Sequence, residues 1–146
     1  MPKIPFQLLS LNEGGYHLLL SVEINEVKTY AVVDTGASRT VLDFNQINDM
    51  KIKILEKEIV SNSIGVGGEI SNLQIGQLKK LKIQKFELKK LNIILIDLLK
   101  VTESYVSAGL PKISMILGND ILVNHQAEIN YRQQFIKFKT KSVNLF

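Results

Sequence analysis

Residues 31–42 run Ala31-Val32-Val33-Asp34-Thr35-Gly36-Ala37-Ser38-Arg39-Thr40-Val41-Leu42. An apolar stretch ends in an acid, a hydroxyl residue and a glycine, and a second apolar stretch follows. The first stretch has the composition of a buried strand. Gly36 allows the sharp turn that must come after it. A carboxylate at a strand end, with backbone and hydroxyl donors around it, is suited to general acid or base chemistry. The triplet Asp-Thr-Gly also forms ordinary Asx-type turns, and by chance it arises in about a few per cent of chains of this length at average residue usage. Its surroundings therefore have to carry the argument.

Upstream, His17 to Ile24 reads as a first strand. Asn25-Glu26 has turn composition, and Lys28 to Asp34 returns as a second strand, so the pair forms a hairpin that delivers Asp34 to its end. Downstream, Leu78 to Lys100 keeps a period of two, with a slip in phase at Gln84-Lys85 that marks a turn or bulge. Gly118-Asn119-Asp120 can open a short helix over Asn119 to Asn124, with Ile121-Leu122-Val123 burying one side. Ala127 to Asn130 and Gln134 to Lys139 return to strand-like alternation. The expected fold class is all-β with one short C-terminal helix. A chain of 146 residues without a linker or repeat is expected to be one domain spanning 1–146.

Composition removes several chemistries. There is no cysteine, which excludes a disulfide framework, thiolate metal sites and a cysteine nucleophile. His17 and His125 stand alone, without the spacing of a zinc site, so no metal or other cofactor is expected. No Gly-x-Ser-x-Gly elbow surrounds Ser38, and no Gly-Lys-Ser/Thr follows the glycines at 65–68. The net charge of +4 is concentrated between Gln77 and Lys100, where seven lysines face Glu87 and Asp97 for a local net of +5. Aromatic residues make up 7% of the chain and Arg39 and Arg132 are its only arginines, so a nucleic-acid platform is not expected and the lysines are assigned to a solvated strand face. The longest aliphatic runs fall far short of the ~20 residues of a membrane-spanning helix. The proline-interrupted start, Met1-Pro2-Lys3-Ile4-Pro5, lacks the pattern of a secretory signal, and the expected location is cytoplasmic.

In this context residues 31–42 resemble the active-site loop of the retropepsin-like aspartic proteases. Two further segments follow in that family's order. Ser63-Ile64-Gly65-Val66-Gly67-Gly68-Glu69 is similar to the glycine-rich tip of the flap hairpin, and Met115-Ile116-Leu117-Gly118-Asn119-Asp120-Ile121-Leu122 is similar to the element that threads beneath the catalytic loop and opens the C-terminal helix. The resemblance spans roughly residues 16–138 and implies a closed β-barrel of the acid-protease type with a flap. It also implies an aspartic endopeptidase acting on polypeptide substrates. Asp34 would be catalytic, and Thr35 would hydrogen-bond beneath the paired aspartates. Gly36, Ala37 and Ser38 would contact substrate together with Gly65, Val66, Gly67 and Gly68 of the flap. Such chemistry requires two carboxylates sharing a proton. Only one Asp-Thr-Gly is present, and Asp43, Asp49, Asp97 and Asp120 lack its context, so the resemblance implies a homodimer with Asp34 contributed by each copy.

Two positions depart from the family pattern. Retroviral enzymes commonly carry an acid after Asp-Thr-Gly-Ala and an arginine after the later glycine, and the two pair. Here those positions hold Ser38 and Asn119, so both halves of the pair are absent together. The interleaving terminal strand of that family corresponds to Ala127-Glu128-Ile129-Asn130-Tyr131, beyond which an additional hairpin is expected from Arg132 to Lys139. The rival readings are a non-catalytic binding or dimerisation module of the same fold and, on the lysines alone, a nucleic-acid-binding β-domain.

Overall fold

The computed structural model describes residues 1–10, 15–59 and 73–141. Eleven strands appear in it: β1 (Ile4–Pro5), β2 (Gln7–Ser10), β3 (Tyr16–Ile24), β4 (Val27–Val33), β5 (Val41–Asp43), β6 (Lys53–Ile59), β7 (Leu73–Ile83), β8 (Phe86–Ile96), β9 (Met115–Leu117), β10 (Glu128–Asn130) and β11 (Phe135–Lys137). Two helices accompany them, α1 (Leu99–Ser107) and α2 (Asn119–Asn124), with a 3-10 turn at Phe44–Gln46.

The hairpin anticipated ahead of Asp34 is β3–β4, in register from Leu18↔Val33 to Ile24↔Val27. Its turn residues Asn25 and Glu26 have φ of 49° and 70°, the left-handed pair that matches the twist of the flanking strands. Asn25 also closes the barrel. Its Oδ1 accepts from the Lys79 and Lys80 amides, and its Nδ2 donates to the Met50 and Lys51 carbonyls. This pins the hairpin tip to β7, where Glu23↔Lys82 and Ile24↔Leu81 complete the ring. The closed barrel runs β3-β4-β9-β5-β8-β7 and back to β3, with β2 and β6 as appended strands. Alternate residues fill it: Leu18, Leu20, Val22 and Ile24 from β3 meet Ala31, Val33, Leu42, Leu81, Ile93, Leu95 and Leu117. Each such aliphatic burial contributes on the order of 1.5–3 kcal/mol. The phase slip at Gln84-Lys85 is the β7–β8 turn, with Gln84 at φ 56°.

Three features differ from the sequence reading. Period-two alternation does not run to Lys100. Strand β8 ends at Ile96 and α1 follows, a second helix that buries Thr102 and Tyr105. Tyr105 packs with Leu19, Val32 and Ile113 on the outside of β3–β4, which is why Ala31, Val32 and Val33 are all buried. Second, the period of two slips again inside each strand of the β7–β8 hairpin. Leu78 and Leu81 are both buried in the barrel and Leu88 and Leu91 both pack against it, so Lys79-Lys80 and Lys89-Lys90 each lie between inward residues three apart, with Lys90 at φ 52°. Third, Arg132 to Lys139 does not form a hairpin of its own: its one strand, β11, pairs with β10, which lies in the segment expected to interleave, and with β1 of the same chain through Ile4↔Ile136 and Pro5↔Phe135. Among the described residues no helix is long and apolar enough to cross a membrane.

Candidate active site

Strand β9 lies between β4 and β5. It is parallel to β4 through Ala31↔Met115, Val32↔Ile116 and Val33↔Leu117, and antiparallel to β5 through Val41↔Ile116 and Leu42↔Met115. The loop from Asp34 to Thr40 therefore leaves the sheet on one side of β9 and re-enters on the other. Asp34 is the first residue out, and its amide donates to the Leu117 carbonyl at 3.0 Å, extending the ladder one residue past β4. The turn then closes on the acid. The Ala37 amide donates to the Asp34 carbonyl at 3.1 Å, and the Gly36 amide donates to Asp34 Oδ1 at 2.8 Å. Asp34, Thr35, Gly36 and Ser38 are exposed and Ala37 is half-buried. These five predicted residues thus form one surface turn. Gly65, Val66, Gly67 and Gly68 lie outside the described residues; the strands on either side, β6 and β7, pair antiparallel from Lys53↔Gln77 to Ile59↔Leu73.

The start of α2 braces the turn from below. Gly118 sits against the loop backbone, where a β-carbon would come within 2.7 Å of the Arg39 carbonyl carbon, so only glycine fits. Its amide donates to Thr40 Oγ1 at 2.9 Å. Thr40 is buried, and both its amide (2.9 Å) and its hydroxyl (2.6 Å) donate to Asp120 Oδ1. The Asn119 amide donates to the Ala37 carbonyl at 2.8 Å, and Asn119 Nδ2 donates to the Thr35 carbonyl at 2.7 Å. Thr40 and Asp120 are the supporting residues that the motif reading passed over. A Gly-Asn-Asp helix opening was visible in the sequence, but the partner of Asp120 stands eighty residues earlier and no local pattern joins them.

Asp43 and Asp97 are committed elsewhere. Asp43 is 1% exposed and accepts from the Asn45 amide, Asn45 Nδ2 and the Leu98 amide on Oδ1 and from Gln46 Nε2 on Oδ2. Gln46 continues the chain to Ser114, whose hydroxyl meets that of Thr29. Asp97 accepts from the Leu99 amide at the start of α1 and from Asn45 Nδ2; the Leu99 bond, then the Asn45 bond, hold its carboxyl below the usual range. His125 is buried, with Nδ1 paired to the Lys139 carbonyl and its ring against Phe86, which is a structural role. A groove of about 750 Å³ lined in part by Glu23, Lys28, Tyr30, Lys82 and Gln84 opens at the turn end of β3–β4, away from the end that carries Asp34.

The sequence profile described as Aspartyl protease matches residues 20–121. The chain belongs to the aspartyl protease family. Among solved structures, this aspartyl protease family member resembles a retropepsin-like aspartic protease from Rickettsia conorii, with a TM-score of 0.53, 20% identity and coverage of 93% of this chain and 95% of that one. It also resembles the retroviral protease-like domain of Ddi1 from Leishmania major, with a TM-score of 0.55, 16% identity and coverage of 86% and 90%. At these identities the likeness shows the fold, which is retropepsin-like. No curated protein matches the chain by sequence.

Proposed function

We propose that this chain is an aspartic endopeptidase that hydrolyses peptide bonds of a polypeptide substrate as a homodimer, with Asp34 of each copy forming the dyad. The observation that carries the reading is the state of Asp34. Its carboxylate is exposed at the end of a buried strand and held by the Gly36 amide, while Asp43, Asp97 and Asp120 are each occupied by other donors. With one Asp-Thr-Gly in the chain, the proposed partner is Asp34 of a twofold-related copy.

In the proposed dimer two carboxylates close together share one proton, because like charges so near cannot both ionise. The ionised member takes a proton from a bound water as the water oxygen bonds to the scissile carbonyl carbon. The protonated member donates to the carbonyl oxygen, giving a tetrahedral diol. Collapse breaks the C–N bond, and the departing nitrogen takes a proton from the dyad. The apparent pKa values of such a pair belong to both groups together. Thr35 would steady the two turns across the axis. Gly36, Ala37 and Ser38 would line the bound peptide, with Gly65, Val66, Gly67 and Gly68 over its other side.

The deciding experiment compares the parent protein with Asp34→Asn on a diverse peptide pool, with sedimentation of each in parallel. Cleavage by the parent, its loss in a folded Asp34→Asn protein and a dimer in the presence of a transition-state-like peptide are expected. Equal cleavage by both would overturn the assignment. A folded parent that cleaves nothing would point to the binding or dimerisation module, and a strict monomer that cleaves would rule out the shared dyad.

A further inference from the structure

The Thr35 carbonyl and the Gly36 amide belong to one peptide unit, and the two ends of that unit are held by different partners. Asn119 Nδ2 donates to the Thr35 oxygen at 2.7 Å, and the Gly36 N–H donates to Asp34 Oδ1 at 2.8 Å. A peptide unit is planar and rigid, so its C=O and N–H cannot rotate independently. Fixing the carbonyl therefore aims the N–H. We propose that Asn119 is a positioning residue that orients the Thr35–Gly36 peptide toward the Asp34 carboxylate, and so sets the carboxylate's direction from within a single chain. The inference rests on the proposed protease reading for its catalytic consequence, but the geometry it describes exists without substrate.

Three observations place Asn119 in that role. Its backbone is located by Gly118, which packs directly on the Arg39 and Ala37 backbone. Its own amide holds a second carbonyl of the turn, that of Ala37, at 2.8 Å. One residue thus grips the turn on both sides of Gly36. The side-chain contact is also chemically directional: a carbonyl oxygen only accepts, so the amide nitrogen must face it. Donation to a carbonyl polarises the peptide and strengthens its N–H as a donor, which adds to the steric effect. Ser38 offers no acidic group for a cation at position 119 to pair with, and the neutral amide bonds the loop backbone itself.

The test compares the full-length parent with Asn119→Ala, Asn119→Asp and Asn119→Gln. Asn119→Asp keeps the size of the side chain and removes the donor, whereas Asn119→Gln keeps a donor on a longer stem. Two quantities are read: the solvent exchange rate of the Gly36 amide by NMR, without substrate, and kcat and KM on a cleaved peptide. Loss of one hydrogen bond of ordinary strength corresponds to about tenfold. In Asn119→Ala and Asn119→Asp the expected results are Gly36 exchange faster by about tenfold, kcat lower by about tenfold and KM within about twofold of the parent. Asn119→Gln should restore part of both losses. Unchanged Gly36 exchange in Asn119→Ala and Asn119→Asp overturns the proposal, and so does a change confined to KM, which marks a substrate contact. If the parent cleaves no peptide, the protease reading fails, and the exchange rates still decide whether Asn119 aims the peptide.

Discussion

Gly118 rests on the backbone of Arg39: a β-carbon on the glycine would stand 2.7 Å from the Arg39 carbonyl carbon, 2.8 Å from its oxygen and 2.9 Å from the Ala37 oxygen. All three obstacles are backbone atoms, so no side chain can swing aside. Gly118→Ala must push the Asp34 turn away from α2 and is expected to destabilise the fold by about 1–3 kcal/mol, as overpacking does. Peptide cleavage should fall further than stability alone accounts for. A denaturation midpoint equal to the parent's would contradict the contact.

Thr40 ties the same turn to α2 by a hydroxyl that accepts from the Gly118 amide and donates to Asp120. Thr40→Val keeps the shape and removes both bonds, leaving a buried N–H without its acceptor. The expected loss is about 1–3 kcal/mol of stability, read by urea unfolding. A loss of similar size from Asp120→Ala, with less than additive loss in the double variant, would show that the two act as one unit.

Asp43 is a buried carboxylate bonded to four donors with no lysine or arginine among them. Asp43→Ala leaves the buried Leu98 amide without its acceptor and takes one of the two acceptors of Gln46 Nε2, which keeps the Ile113 carbonyl. The expected cost is about 2–4 kcal/mol, from the lost bonds to the carboxylate and the buried donor left unsatisfied, a large share of the stability of a marginal domain. A folded variant within about 1 kcal/mol of the parent would mean that the donors find other acceptors.

Tyr105 is 2% exposed, and its hydroxyl has no partner among the described residues. Burial lifts its pKa from the usual 10.0 to about 12. The folded state thus holds this proton more tightly than the unfolded chain, so the associated stability is complete below pH 10 and declines as pH rises toward 12. Tyr105→Phe should raise stability near neutral pH by about 1 kcal/mol through loss of an unpaired hydroxyl, and should flatten the alkaline decline. A decrease in stability at neutral pH would overturn this reading of the site.

The local pattern of the chain was sufficient for the elements whose partners are near in sequence. Strand composition in His17 to Ile24 and turn chemistry at Asn25-Glu26 and Gln84-Lys85 specify hairpins, because strand registers there follow directly from the turns. The Asp-Thr-Gly triplet marks the end of β4 for the same reason. Helix α1 was not legible. Its sequence, Leu99-Lys100-Val101-Thr102-Glu103-Ser104-Tyr105-Val106-Ser107, buries only Thr102 and Tyr105, too narrow a stripe to announce a helix, and it is held by docking Tyr105 on Leu19, Val32 and Ile113.

What the sequence determined by itself was therefore the candidate acid, its turn and the all-β class, since each depends on residues within a few positions of one another. The tertiary structure decided how that acid is held. Only the insertion of β9 between β4 and β5 brings Gly118, Asn119 and Asp120 beneath a turn some eighty residues earlier. Side-chain type gives no local sign of such a partner, because a hydrogen bond between distant residues leaves no periodicity in the chain; it exists only once the barrel has closed and fixed the distance between them.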